Sequence, residues 1–431
     1  MTPDTAATTA AAEPAPGITL LISRPGEDPL ETSHGYANLE HKVPISADTR
    51  FNVGSVAKQI TAHLVLLAAE EGRLDLERPV DGLLPELRVP DITPADLITH
   101  HSGLRDAESL LSLAGYRDLD HYTSDDLINL AGRQQQRAVL RGQFLYSNTN
   151  YLLLARLLER LHDRPFPTVA GDLLFGPLGM TATQFKSDPR QVLSAAASGY
   201  ERSPESWQHV AAPAALPGPG ALWSTTRDLS LWLSHLYNQW AKNGTPGPRT
   251  VAFERSSDHP PARYGPGLYS LPDKAEVFHY GHEQGFSAAV RLTADGRQAV
   301  ILSNGGALRA DQVAAPTLDA PVEAITAITQ LSTRPAAISS SLSSNTRASE
   351  KHTKIGSYVC PEVPGSLRIT EASGILYLWR RGTPCVLNRV AAHEYLGAGL
   401  QLVLPTDADG SNLESFVLNL HRAPNLRFRL K

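Results

Sequence analysis

Cysteine is almost absent from this chain of 431 residues, which contains only Cys360 and Cys385. Two cysteines near one end exclude a disulfide framework and a cysteine-rich zinc module. The two could pair with each other, but free thiols are the expectation for a cytoplasmic protein. The sequence has no His-Glu-x-x-His motif and no cluster of acidic residues, so it indicates no metal and no cofactor.

An excess of either charge and long apolar runs are also lacking. The 39 basic and 44 acidic residues leave a formal net charge of −5, which argues against a nucleic-acid binder and against a polybasic membrane surface. No apolar run approaches the ~20 residues that cross a bilayer, and the Ala/Thr/Pro-rich start lacks the pattern of a signal peptide. We therefore expect a cytoplasmic protein; a chain trimmed of its export signal is the alternative.

The chain does contain enough apolar sequence for large cores, since 42% of its residues are hydrophobic. Apolar runs typical of strands lie at Gly17–Ser23 and Thr32–Ala37, and again at Val277–His282, Phe286–Thr293 and Gln298–Ser303. The region between them, from about 75 to 245, is predicted to be mostly helical. This order predicts one α/β domain whose antiparallel sheet is closed by its two end segments around a helical insertion.

Helix signals in this region are of two kinds, apolar residues at helical spacing and Ser or Thr caps followed by an acidic residue. The predicted helices are Ser55–Glu71, one opened by the capping box Thr93–Asp96, one opened by Thr123–Asp126, Tyr151–His162, one capped by Thr226–Asp228 that ends near Lys242, and one at about 310–330. Asp228 itself is interpreted as a surface charge.

The last fifth of the chain differs in composition. A Ser-rich stretch at 332–352 is low in large apolar residues and predicts a linker. Short alternating runs after it predict a small antiparallel β-barrel or sandwich. The predicted organisation is a disordered tail at 1–16, an α/β domain at 17–331, the linker at 332–352 and a β-barrel at 353–431.

The chain contains a single Ser-x-x-Lys, formed by Ser55 and Lys58. Residues three apart on a helix share a face, so the Lys58 amine can reach the Ser55 hydroxyl. A serine is a weak nucleophile until a base removes its proton, and burial can lower a lysine pKa far enough for it to act as that base. The start of a helix also offers backbone N–H groups to a developing oxyanion.

Three segments together resemble the motifs of the serine β-lactamase and penicillin-binding-protein superfamily, in the class C-like branch that contains D-aminopeptidases and D-stereospecific esterases. They are Phe51–Ala62 around Ser55, Tyr146-Ser147-Asn148, and Phe278–Ser287 with His282. The resemblance implies that Tyr146 assists proton transfer at Ser55, that Asn148 binds the substrate carbonyl side, and that His282 binds a substrate carboxylate or tunes the Tyr/Lys pair. It covers about residues 16 to 330.

The sequence departs from that pattern after His282, where Gln284 stands at an expected glycine and Gly285 follows one position later. Either backbone N–H, that of Gln284 or that of Gly285, could complete the oxyanion hole with Ser55. The histidines at 34, 100 and 101 are interpreted as structural. The resemblance implies a β-lactamase/transpeptidase-like fold, and the C-terminal run resembles the lipocalin-like domain of some D-aminopeptidase-like members.

The sequence therefore predicts a serine acyl-transfer enzyme that acts through an acyl-enzyme on amide or ester bonds of a small peptide or amino-acid derivative. A preference for D residues is implied by the resemblance. One alternative is a penicillin-binding-protein-type thioesterase or peptide cyclase that acts on a carrier-bound peptidyl thioester. A second alternative is a non-catalytic, penicillin-recognising homologue. The expected partner is a small-molecule or peptide substrate, with no nucleic acid and no membrane.

Overall fold

The computed structural model describes residues 14–243, 255–258, 261–306, 310–321, 324–325, 353–380, 382–405 and 413–431. Most of the predicted tail and the whole predicted linker lie outside these residues, so the predicted domain bounds stay predictions. In the described parts of the chain, no helix combines the length and the apolar character that crossing a membrane requires.

The part of the chain before residue 326 contains helices and strands in a mixed order. The strands are β1 (Ile18–Ser23), β2 (Leu30–His34), β3 (Tyr36–Asn38), β4 (Val43–Pro44), β5 (Phe51–Asn52), β6 (Gln184–Phe185), β7 (Gly199–Arg202), β8 (Trp207–Val210), β9 (Leu222–Ser224), β10 (Arg255–Ser256), β11 (Arg263–Tyr264), β12 (Tyr269–Leu271), β13 (Glu276–Glu283), β14 (Phe286–Thr293) and β15 (Gln298–Ser303). The helices are α1 (Lys58–Glu70), α2 (Pro94–Ile98), α3 (Ala107–Leu110), α4 (Ser124–Ala131), α5 (Asn148–His162), α6 (Phe166–Ala170), α7 (Gly176–Leu178), α8 (Thr226–Asn243) and α9 (Ala310–Thr317). Single turns of 3-10 helix lie at Gly54–Ala57 and Pro272–Lys274, and a π-helical turn at Gly171–Phe175.

One antiparallel sheet holds the ends of this part together, in the order β10-β11-β12-β13-β14-β15-β1-β2. Strand β1 pairs with β15, with Ile18 opposite Ser303. The first strand along the chain therefore lies beside β15, the strand of this sheet that comes last along the chain. The predicted architecture, a sheet closed by both end segments around a helical insertion, is confirmed.

The two faces of the sheet are covered by different helices because side chains alternate along each strand. Val290 and Leu292 belong to the large core that also contains Trp232 of α8. Ala289 belongs to a smaller core with Val313 of α9. The sheet is therefore the middle layer between helices.

Local capping signals explain where the helices begin. Thr93 forms the predicted capping box at α2, and Thr123, which is predicted to open a helix, forms a capping box at α4. At α8 the predicted cap is wrong by one residue, because the Thr225 hydroxyl accepts the N–H of Asp228 at 3.2 Å. Asp228 is also not a surface charge: it is buried, and its carboxylate accepts the N–H of Ala182 and the hydroxyl of Thr183.

Two further expectations differ from the structure. The region from 75 to 245 contains the short strands β6 to β9 in addition to its helices, since brief pairings of two to four residues leave little periodicity to detect. The helix expected at about 310–330 is interrupted: α9 ends at Thr317, and of the later described residues only 324–325 are helical.

The C-terminal part forms a closed antiparallel barrel of eight strands, as predicted. They are β16 (Thr353–Cys360), β17 (Val363–Ala372), β18 (Ile375–Arg380), β19 (Thr383–Ala391), β20 (Glu394–Gly397), β21 (Leu400–Val403), β22 (Ser415–Leu420) and β23 (Ala423–Leu430). Strand β16 pairs with both β17 and β23, which closes the ring. Alternate residues such as Phe416 and Leu418 point into the buried centre, and both cysteines are free thiols.

The turn between β22 and β23 docks on the helical insertion. Its anchor is Arg105, whose side chain is 2% exposed and donates to the carbonyl oxygens of Pro424 at 2.6 Å and Asn425 at 2.9 Å. Arg105 also forms an ion pair with Glu362 of the barrel. Beside it, the N–H of Asp106 donates to the carbonyl oxygen of Arg422 at 2.9 Å. These contacts hold the barrel turn against the loop that precedes α3.

Candidate active site

Ser55 lies in the 3-10 turn that leads into α1, and not at the first residue of the α-helix as the pattern predicts. The turn lies against strand β13, because Gly54 has a φ of +49° and a Cβ there would lie 2.9 Å from the carbonyl oxygen of His282. The Ser55 side chain is partly exposed. The predicted neighbour is in place, since the Nζ of Lys58 lies 2.8 Å from the Ser55 Oγ.

Lys58 is completely buried and has three oxygen partners. Besides Ser55, its Nζ donates to Asn148 Oδ1 at 2.8 Å and to the carbonyl oxygen of Pro219 at 2.9 Å. Burial lowers the pKa of Lys58 to about 7, because an ammonium away from water is unfavourable. The charge of Arg422 contributes to this lowered pKa, and nearby carboxyl groups oppose the shift. About half of the Lys58 side chains are therefore uncharged at neutral pH, and an uncharged amine can accept the Ser55 proton.

Tyr146 is buried on the other side of Ser55. A hydrogen bond with Ser55 and the charge of Arg422 favour its ionised form, but burial outweighs both and raises the pKa of Tyr146 above its ordinary value. The Nζ of Lys58 lies 5.0 Å from the centre of its ring. Tyr146 is consequently a neutral phenol at physiological pH, suited to donate a proton or pass one on, while Lys58 is the better base.

The loop that carries Tyr146 is fixed by His100. The Nδ1 of this buried histidine accepts the N–H of Ser147 at 3.2 Å and lies 3.0 Å from the Asn150 amide nitrogen. Burial and the charge of Lys58 hold the pKa of His100 well below its usual value, so the ring is neutral and Nδ1 can accept. This is a structural role of the kind that the sequence interpretation gives to His100.

Asn148 is the first residue of α5, and its side chain connects Lys58 to an acidic group. Its Oδ1 accepts from Lys58, while its Nδ2 donates to Glu108 Oε2 at 2.6 Å. Both ends of the amide therefore have protein partners in this structure. A substrate-binding role for Asn148 remains a prediction, and it would require one of these bonds to be exchanged.

Strand β13 forms the opposite wall, and glycine is what lets it come close. A Cβ at Gly281 would lie 2.0 Å from the carbonyl oxygen of Val53. The exposed side chain of His282 follows immediately and faces a cleft of about 480 Å³. The cleft brings together the predicted residues Ser55, Tyr146, Asn148 and His282.

Gln284 and Gly285 form the turn of the hairpin between β13 and β14. The N–H of Gly285 donates to Glu201 Oε1 at 3.0 Å. The N–H of Gln284 acts on the carboxylate of Glu283 and favours its ionised form, against the effect of burial. Because each N–H interacts with a protein carboxylate here, their role as oxyanion donors stays a prediction.

Three carboxyl groups near Lys58 were not identified from the sequence. They belong to Asp106, Glu108 and Glu283, and each raises the pKa of Lys58. Burial and the charge of Asp106 raise the pKa of Glu108 to about 7. Burial also raises the pKa of Asp106 and of Glu283. Only the position of Glu283, next to His282, could have suggested one of them.

The barrel supplies a further residue to this site that sequence analysis did not identify. The Arg422 guanidinium carbon lies 4.4 Å from the centre of the Tyr146 ring, and its Nη1 lies 3.9 Å from Asp106 Oδ2. Arg422 and its neighbour His421 also line the cleft. The cleft is thus formed by the sheet, the helical insertion and the barrel together.

Comparison with known proteins gives matches over most of the chain. The protein family described as beta-lactamase matches residues 5–323. A D-aminopeptidase of Cereibacter sphaeroides is 27% identical over 299 residues, which are 67% of this chain and 56% of that protein. This chain thus spans little more than half the length of that relative.

Two solved structures are also similar. The octameric penicillin-binding protein homologue from Pyrococcus abyssi matches with a TM-score of 0.63 at 20% identity and covers 96% of both chains, which shows a shared fold. The D-stereospecific amidohydrolase from Streptomyces sp. matches with a TM-score of 0.56 at 25% identity, over 68% of this chain and 91% of that chain.

Proposed function

Because the chain belongs to the beta-lactamase family, with the fold of that family and a C-terminal antiparallel barrel, we propose that it is a serine acyl-transfer enzyme that forms an acyl-enzyme at Ser55. The observation that carries the proposal is the buried Lys58, whose pKa is lowered to about 7 and whose Nζ lies 2.8 Å from the Ser55 Oγ. That pair gives the serine a base at neutral pH.

In the acylation step, uncharged Lys58 accepts the proton of Ser55 while Oγ attacks the substrate carbonyl carbon. The oxyanion is bound by backbone N–H groups at the start of the nucleophile turn. Tyr146, hydrogen-bonded to Ser55, donates a proton to the leaving group and is reprotonated by Lys58. Water then attacks the acyl-enzyme through the same groups in reverse, and the acid is released.

The proposed substrates are amides or esters of small peptides or amino-acid derivatives, with preference for a D residue. The name of the Streptomyces amidohydrolase and that of the Cereibacter D-aminopeptidase support this preference. The cleft of about 480 Å³ suits a ligand of a few residues.

Aminolysis is the second candidate reaction, in which a peptide amine resolves the acyl-enzyme and a cyclic or joined peptide results. It is favoured by Glu108, whose pKa is raised to about 7 and which is hydrogen-bonded to Asn148. A carboxyl group of that pKa can take the proton of an incoming ammonium near neutral pH. A cyclised or joined product from a peptidyl thioester would identify this reaction, whereas release of the free acid alone would identify hydrolysis.

The proposal is tested by incubating the protein with a fluorophosphonate and measuring its intact mass. We expect one adduct on the wild type and none on Ser55→Ala. Ser147→Ala is the matched control, because Ser147 is also a serine of this region but its buried hydroxyl has no partner among the described residues. An unlabelled wild type would support the non-catalytic alternative, and labelling of Ser55→Ala would contradict the assignment of the nucleophile.

A further inference from the structure

A second, smaller cleft of about 110 Å³ adjoins the candidate active site. We call it the Lys186 cleft; its lining includes Glu108, Lys186, Trp223 and Glu283. Two direct connections link it to the candidate site. Glu108 is hydrogen-bonded to Asn148, and Glu283 follows His282 in β13. A substrate bound at Ser55 can therefore extend into the Lys186 cleft.

Lys186 is a largely buried cation that forms no ion pair within the part of the chain that the structure describes, although the charge of Asp188 acts on it. Its side chain is 8% exposed, and its Nζ lies 4.5 Å from the centre of the Trp223 ring. Among the residues that the structure describes, no hydrogen bond or ion pair involves this ammonium, and the nearby Asp188 is itself paired with Arg190 at 2.6 Å. Because Lys186 lines the cleft and has no ion pair among the described residues, an anion bound there would gain a charge-assisted partner.

The carboxyl groups in the same cleft do not neutralise Lys186. Glu108 accepts from Asn148 Nδ2 with one carboxylate oxygen and from the Tyr122 hydroxyl with the other, so both of its oxygens already have partners. Glu108 and Glu283 raise the pKa of Lys58, and among the described residues neither of them forms an ion pair with Lys186. The cleft is therefore acidic near Ser55 and basic at Lys186.

We propose that the Lys186 cleft binds a carboxylate of the substrate, carried by the residue next to the bond that Ser55 attacks. The ammonium of Lys186 and the indole face of Trp223 would bind the carboxylate. The carboxyl groups on the side of the cleft near Ser55 would accept hydrogen bonds from an amine or amide of the same substrate residue. The inference rests on the proposed function and adds to it a substrate class, peptides with an acidic side chain or a nearby free C-terminus.

The test measures binding to full-length Ser55→Ala protein, which holds substrate without turning it over. Three dipeptides are compared by calorimetry: D-alanyl-glutamic acid α-amide, with a side-chain carboxylate only; D-alanyl-alanine, with a terminal carboxylate only; and D-alanyl-glutamine α-amide, with neither. We expect one of the two acids to bind about 10- to 100-fold more tightly than the neutral peptide, as a charge-assisted hydrogen bond would give. The acid that does so identifies the source of the carboxylate.

The same measurement on Lys186→Met, in the Ser55→Ala background, should remove the preference, so that this variant binds the two acids no more tightly than the neutral dipeptide. Lys274→Met is the matched control, because Lys274 is exposed and lies outside this cleft. If Lys186→Met does not fold, Lys186→Gln replaces it. The affinities of the three dipeptides for the Ser55→Ala protein still show whether an acid is preferred.

Equal affinities for all three dipeptides, no binding of any of them, or a preference that survives Lys186→Met would each overturn the inference. None of these results bears on the assignment of Ser55 as the nucleophile, because the fluorophosphonate adduct at Ser55 is measured separately. If the protein is labelled at Ser55 but does not bind an acid more tightly than the neutral dipeptide, the proposed function stands and only the proposed carboxylate site is rejected.

Discussion

Replacing Arg422 with glutamine should shift the acidic side of the pH profile of the acylation rate to higher pH. Burial and, next to it, the charge of Arg422 together lower the pKa of Lys58 to about 7. Without this positive charge the ammonium form of Lys58 is less unfavourable, so its pKa rises. The fraction of uncharged Lys58 then falls at every pH below the new pKa, and with it the rate of attack by Ser55.

The size of the effect follows from the geometry. Lys58 Nζ and the Arg422 guanidinium lie 5.0 and 4.4 Å from the centre of the same ring, that of Tyr146. The two charges are therefore within about 9 Å, where an effective dielectric of about 20 gives about 1.8 kcal/mol, or about 1.3 pKa units. Because the Arg422 side chain is 37% exposed, solvent screening reduces this to about 0.5 to 1 unit.

The assay is the rate of labelling by an uncharged fluorophosphonate between about pH 5 and pH 9, which avoids any role of Arg422 in binding a charged substrate. At about pH 6 we expect Arg422→Gln to be about 3- to 10-fold slower than the wild type, with equal rates at about pH 9. Arg422→Lys, which keeps the charge, should stay close to the wild-type profile. An Arg422→Gln profile that is lowered equally at all pH values, or one shifted to lower pH, would refute the electrostatic reasoning.

Three further predictions concern other contacts of the site and of the barrel. Tyr146→Phe should slow labelling at Ser55 by about 10²- to 10⁴-fold while leaving the thermal midpoint nearly unchanged, because it removes a proton carrier and little volume; a rate within a factor of two of the wild type would exclude that role. Arg105→Met should lower the free energy of unfolding by about 3–5 kcal/mol in a urea titration, since Glu362 would lose its partner at a largely buried site. The double variant Arg105→Met/Glu362→Leu should recover most of this loss. Equal stability of Arg105→Met and the wild type would contradict the prediction. Gly281→Ala should abolish labelling and reduce stability because its Cβ would lie 2.0 Å from the carbonyl oxygen of Val53, whereas Gly82→Ala, with nothing within 4 Å of the added Cβ, should be nearly neutral; full activity of Gly281→Ala would show that β13 can move away from the nucleophile turn.

Much of the fold could be predicted from the sequence, because its signals are local. The capping boxes at Thr93 and Thr123 depend on residues three apart, and both form where the sequence predicts a helix to begin. Strand β14 at Phe286–Thr293 has the bounds that its apolar run indicates. Where the signal is shorter than one period, as in the two-residue strand β6, the sequence did not show it.

The candidate nucleophile and base could also be identified in advance, since Ser55 and Lys58 are three residues apart and a helical turn brings them to 2.8 Å. The sequence by itself therefore determined the longer elements, their order, and the pair that the proposed chemistry uses. It could not determine the charge state of that pair, because the pKa of Lys58 depends on burial by segments distant in the chain.

Only the tertiary structure decided what surrounds Ser55. It brought Glu108 to Asn148, packed Lys186 against the ring of Trp223, and placed Arg422 of the barrel against Tyr146. None of these contacts joins residues close in sequence, so no periodicity or motif carries them. They arise because burial and charge act through space, and the distances through space are set by the packing of the sheet, the helical insertion and the barrel.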